Sequence, residues 1–232
     1  LQNLYNEGKM NVVQSVGYDN PNFSHFQSRD IWMSGDTTAK RSLRVKTGWL
    51  GRYLQNEYAG YPDAFPDAAM PDPLAIQISQ VPTLDLQGSI YSMGLSITNP
   101  EKVYTFANPF SDYPLTATPA NKELKFLRVV SEKTKIYSDI IKAAYQRSAT
   151  MATYPDQNEL SHKKQVNASD TSTGRHADLM KKLSTAVGAF QKDLELMQLD
   201  DRVLGMTFSE FGRRIKSNAS LGTDHGAAAP LM

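Results

Sequence analysis

A chain of 232 residues, 40% hydrophobic and 21% charged, can build one large α/β domain or two small ones, and its makeup excludes a wholly disordered protein. Its 25 basic and 24 acidic residues leave a net charge of +1, too weak a field to gather a polyanion, so nucleic acid is not an expected partner. The lack of cysteine rules out disulfides, thiolate ligands and cysteine nucleophiles, and no apolar run approaches the roughly 20 residues of a membrane-spanning helix.

Leu4 to Lys9 reads as the end of a helix stopped at Gly8, and Ala227 to Met232 as the opening of a further strand, so both ends look cut. Asn11 to Val16 predicts a short strand on Val12, Val13 and Val16, leaving at Gly17. Ser24 can cap a helix running to about Met33, and Thr47 or Gly48 opens another through Trp49, Leu50, Tyr53 and Leu54. From Tyr61 to Pro73, four prolines rule out a regular element. Leu74 to Ile78 and Leu84 to Ile97 read as strands, the second interrupted by Gly88 and Gly94; a β-rich insertion over about 61–115 then decorates a single domain spanning 1–232.

Two long helices follow. Ala120 to Ser148 carries Leu127, Val130, Tyr137, Ile141 and Ala144 at helical spacing, and Ala177 to Gln198 carries Leu179, Leu183, Ala186, Phe190, Leu194 and Met197. A link at Asp200-Asp201 leads into Val203 to Phe208, predicted as a short buried strand, and helix-to-strand joins of this kind build a sheet covered by helices.

Glu210 would stand at the carboxyl end of that strand, where open α/β sheets place their ligands. His225 lies fifteen residues further on, across a loop with Gly212 and Gly222, so a carboxylate oxygen and an imidazole nitrogen can reach one hard or borderline cation. The same residues allow plainer roles. Glu210 can pair with Arg213 or Arg214, Asp224 can serve a turn, and His225 can lie on the surface. The two arginines suit either a solvated face or bidentate contact with an anion, and His25 suits a polar contact at a helix end.

Ser209-Glu210-Phe211-Gly212-Arg213-Arg214, with Gly222-Thr223-Asp224-His225-Gly226 downstream, resembles the signature of the domain-of-unknown-function family 1501, a bacterial family related to alkaline phosphatases and sulfatases. Val12 to Tyr18 with Asn20-Pro21-Asn22, then Ser24-His25-Phe26, Asp30-Ile31-Trp32 and Gly48 to Tyr53, fall in that family's order, so the resemblance covers nearly the whole chain. It implies an α/β fold, a three-layer α/β/α sandwich with a mainly parallel sheet, incomplete at both ends. It also implies metal-dependent hydrolysis of a phosphate or sulfate ester, whether a small molecule or a polymer.

The implied cofactor is a divalent metal (zinc, manganese, magnesium or calcium), with Glu210 and His225 as ligands, Asp224 and His162 as further ligands, Arg213 as an oxyanion contact and His25 in the same pocket. Phe211 stands where a superfamily histidine would, so a single metal or a reshaped site is expected. The resemblance puts the nucleophile before Leu1, which leaves this stretch inactive alone, and implies a periplasmic or cell-surface location. The alternative is a non-catalytic exported binding or surface-assembly protein that kept the fold.

The family carries a Phe-Asp-Thr-His run on a strand before the second long helix, and Leu160-Ser161-His162 stands at that place here. A parallel sheet needs a strand between successive helices on it. A helix-plus-strand unit is therefore expected to be missing between about Leu160 and His162.

Overall fold

A computed structural model describes residues 1–38, 46–101, 118–155, 169–170 and 172–232. The chain divides into two compact units, one of residues 1–29 with 150–232 and the other of 30–149.

The first unit opens with helix α1 (Gln2–Asn6) and strand β1 (Val13–Gly17). Gly8 follows α1 at φ 73°, the left-handed turn that ends a helix. β1 pairs antiparallel with β6 (Ala228–Leu231), Val16 opposite Ala229 and Gly17 opposite Ala228. The ladder is irregular between Val13 and Val16, where Ser15 takes φ 61°. Strands β4 (Gly212–Ser217) and β5 (Thr223–Gly226) form an antiparallel hairpin with Arg213 opposite His225. Asn218 organises its turn: the side-chain oxygen accepts from the Ser220 and Gly222 amides, both at 3.0 Å.

Helix α5 (Arg175–Leu196) buries Ala189, Asp193 and Leu194; of the apolar positions its three-and-four spacing marks for the packed face, Leu194 is buried while Leu183, Phe190 and Met197 are exposed. Asp193 lies on that face because it accepts the Met151 and Ala152 backbone amides at 2.9 and 2.5 Å. Burial pushes the Asp193 carboxyl up, but bonds from Tyr154 and these two amides outweigh it and leave the group below the usual carboxylate range. Lys9 closes on Glu195 at 2.5 Å and ties the residues after α1 to α5.

In the second unit, helix α3 (Trp49–Glu57) packs on a short 3-10 helix at Leu84–Leu86. Gly51 allows this, because a Cβ there would collide with the Gln87 backbone. Arg52 donates to the Ser34 carbonyl at 2.7 Å, holding the end of helix α2 (His25–Ser34). Strands β2 (Ile76–Ile78) and β3 (Leu95–Ile97) run parallel, Ile76 opposite Leu95. Ile97 and Ile141 form a buried cluster with Leu95 beside them, Ile141 belonging to helix α4 (Pro119–Arg147). Thr118 caps α4 by accepting the Asn121 amide, with Pro119 in the first turn where its missing N–H costs nothing.

Of the stretch Leu84 to Ile97, expected as strand, only Leu95–Ile97 is one and Leu84–Leu86 is a 3-10 helix; the helices and most of the other expected short strands stand close to where the sequence places them. The sheet architecture does not. In place of a three-layer sandwich with a mainly parallel sheet, the described residues form three two-stranded sheets, two antiparallel and one parallel. Val203 to Phe208, expected as a buried strand, forms no regular element, and Leu204 is 96% exposed. A continuous apolar run becomes a central strand only with a neighbour on each edge and a layer on each face. Here Thr207 donates to the Met232 carbonyl at 2.7 Å, while Val203, Leu204 and Met206 lie open to solvent. The expected join at Leu160 to His162 lies outside the described residues.

Candidate functional site

The site lies wholly in the first unit and is assembled by the β4–β5 hairpin and the first turn of α2. Gly212 begins β4 against β6 so closely that a Cβ would collide with the Ala228 carbonyl group. That approach sets Phe211, just before the strand, against the hairpin's His225. His25 opens α2 after a loop in which Tyr18 binds Ser28 and the Asn22 amide donates to the Tyr18 hydroxyl oxygen at 2.8 Å.

Three of the predicted residues meet. His25 Nδ1 lies 2.5 Å from Glu210 Oε1, and the His25 and His225 rings stand edge to face with centroids 4.5 Å apart. Phe211, only 6% exposed, packs under both, its centroid 4.7 Å from His25 and 4.2 Å from His225. The aromatic ring thus forms the floor on which the two imidazoles are seated. His225 Nδ1 lies 2.7 Å from the Phe23 carbonyl oxygen.

The proton positions follow from the partners. A backbone carbonyl only accepts, so His225 Nδ1 carries a proton and donates it to Phe23. Partial burial pushes the Glu210 carboxyl up, but the His25 bond, a backbone amide and Ser209 outweigh it and keep the group below the usual range. An ionised carboxylate also only accepts, so His25 Nδ1 donates to it. In the neutral rings the lone pair is therefore on Nε2 in both histidines. Ser209 Oγ lies 3.3 Å from Glu210 Oε2 and 3.0 Å from the Phe211 carbonyl, with one proton to give.

The other predicted residues have separate partners. Asp224 precedes His225 on β5, and its carboxylate accepts from Asn218 Nδ2 at 2.9 Å. Arg213 stands opposite His225 in the ladder and donates to the Thr223 carbonyl at 3.0 Å. His162 lies outside the described residues. Phe23, Arg213, Arg214, Asp224 and His225 line an open cleft of about 430 Å³. Sequence reasoning singled out His25, Glu210 and His225 but missed the contact between the first two and the part played by the Phe23 carbonyl. A backbone oxygen carries no side-chain signature, so nothing in the residue pattern marks it.

The donor types suit a borderline divalent cation, two imidazoles and carboxylates being common ligands. Their arrangement does not by itself make a metal site. Glu210 is turned onto His25 and Asp224 onto Asn218, and among the described residues no group of three acid or imidazole side chains is placed to hold a metal ion.

Comparison with known proteins bears on the same stretch. The family described as Protein of unknown function (DUF1501) matches residues 162–232, which contain β4, β5 and every site residue named above except Phe23 and His25. No curated protein matches the chain. No solved structure matches it either. Among the described residues no helix is long and apolar enough to cross a membrane.

Proposed function

We propose that the His25–Glu210–His225 cluster serves the hydrolysis of phosphate or sulfate esters, in a protein related to alkaline phosphatases and sulfatases. The observation that carries this reading is the fixed pair of imidazoles, each with its Nδ1 proton held by an oxygen, of which His225 lines a cleft together with Arg213 and Arg214. In such a site an arginine fork holds the ester's oxyanion, and a lone pair at His25 Nε2 can take a proton from water. The water oxygen bonds to phosphorus or sulfur, the bond to the ester oxygen breaks, and the proton passes from His25 to the departing alcohol oxygen. No step here runs through a metal; the divalent ion implied by the resemblance is a separate part of the proposal, to be read from metal content after mild purification. Periplasmic or cell-surface delivery belongs to the same reading, and cell fractionation checks it.

The test is turnover of generic aryl phosphate and aryl sulfate esters by the full-length protein, with and without added divalent metal. His225→Ala should abolish turnover while leaving the circular dichroism spectrum intact. Unchanged turnover in that variant, or none in metal-supplemented wild type, moves the reading to a non-catalytic binding or surface-assembly protein. That second reading is favoured by the pairing of Glu210 with His25 and of Asp224 with Asn218, which leaves neither carboxylate without a partner.

A further inference from the structure

Glu210 and His25 are 185 positions apart and still meet at 2.5 Å, through the His25 nitrogen nearer the backbone. A carboxylate that accepts from Nδ1 settles three things about an imidazole: which nitrogen holds the proton, which keeps the lone pair, and how the ring is turned. The ring's other supports agree. Phe211 packs on His25 from below and His225 meets it edge to face, so both plane and position are bounded. Ser209 Oγ stands 3.3 Å from the second carboxylate oxygen. Glu210 is the less exposed partner, its side chain 28% exposed against 54% for His25. The carboxylate thus lies behind and the imidazole in front, the order expected of an orienting group and the group it orients.

We propose that Glu210 is a positioning residue that holds His25 in its Nδ1–H form, leaving Nε2 of the more exposed ring as the acceptor in the reaction, and that it is not itself a metal ligand. This rests on the hydrolytic reading for its purpose, but not for its geometry.

The four histidines of the chain make the imidazole nitrogen spectrum of the labelled protein assignable with a single His25→Gln control. In the wild-type chain, under conditions where the ring is neutral, His25 should show a protonated Nδ1 and an unprotonated Nε2. Glu210→Leu removes the acceptor at similar size. It should lose that pattern and lower kcat on the order of 10- to 100-fold, the usual effect of losing such a partner, with KM nearly unchanged. Glu210→Gln keeps an acceptor oxygen, so it should retain part of the pattern and lose less. A wild-type His25 protonated on Nε2 overturns the proposal whether or not any variant folds. So does a Glu210→Leu protein that keeps the wild-type pattern but loses a bound metal, since Glu210 would then be a ligand. Because the nitrogen spectrum needs no substrate, a protein that hydrolyses no ester but shows the Nδ1–H form defeats the hydrolytic reading alone.

Discussion

Tyr61 illustrates how a single environment becomes a measurable pH response. Burial raises its phenol, and the nearby Tyr137 adds to the effect, so that ionisation is pushed up to about 12. A group whose folded pKa exceeds its unfolded value favours the folded state fully below the unfolded value, about 10 for tyrosine, and loses that advantage as pH rises toward the folded value. Stability should therefore hold to about pH 10 and decline between there and about 12. An absorbance titration should show Tyr61 trailing the ordinary phenols, with Tyr137 and Tyr154 also raised by burial, and Tyr61→Phe should flatten the decline. A titration in which all 11 tyrosines ionise together near their ordinary value would contradict the burial described here.

Among the elements, the β4–β5 hairpin is the one on which the site depends, and Gly212 decides where it lies. The glycine is needed for proximity, since any side chain would meet the Ala228 carbonyl. Gly212→Ala should cost about 1–3 kcal/mol, the range for overpacking, and lower Tm by several degrees. It should also push Phe211 away from the two imidazoles, so the ring-current shifts of His25 and His225 protons should shrink. An alanine variant with wild-type Tm and unchanged imidazole shifts would show that β4 does not need this approach. The long helices obey simpler rules. Their apolar spacing was readable in the sequence, and α4 and α5 begin and end within a few residues of the predicted limits.

For the molecule as a whole, the strongest departure from expectation is Val203 to Phe208. In a covered parallel sheet, Leu204 would be among the most buried residues of the chain, and a charge there would cost several kcal/mol. At 96% exposure, Leu204→Lys should change stability by no more than about 0.5 kcal/mol. A denaturant titration decides between the two: a large drop in midpoint would restore the buried strand. The family match over residues 162–232 includes this segment, so the same measurement on another chain carrying Ser-Glu-Phe-Gly-Arg-Arg would extend the result.

What the sequence determined by itself was local. Helical periodicity, the turn chemistry at Gly8 and the candidacy of Glu210 at the end of an apolar run all depend on residues within a few positions of one another. What only the tertiary structure decided was which distant pieces meet. An apolar run does not say whether a second strand lies beside it, which is why Val203 to Phe208 looked buried and is open. A histidine does not say which oxygen will hold its proton, and the partners of His25 and His225 stand 185 and 202 positions away. Those contacts depend on the close approach of β4 to β6 and on the entry of α2, long-range placements that no local pattern of side chains encodes.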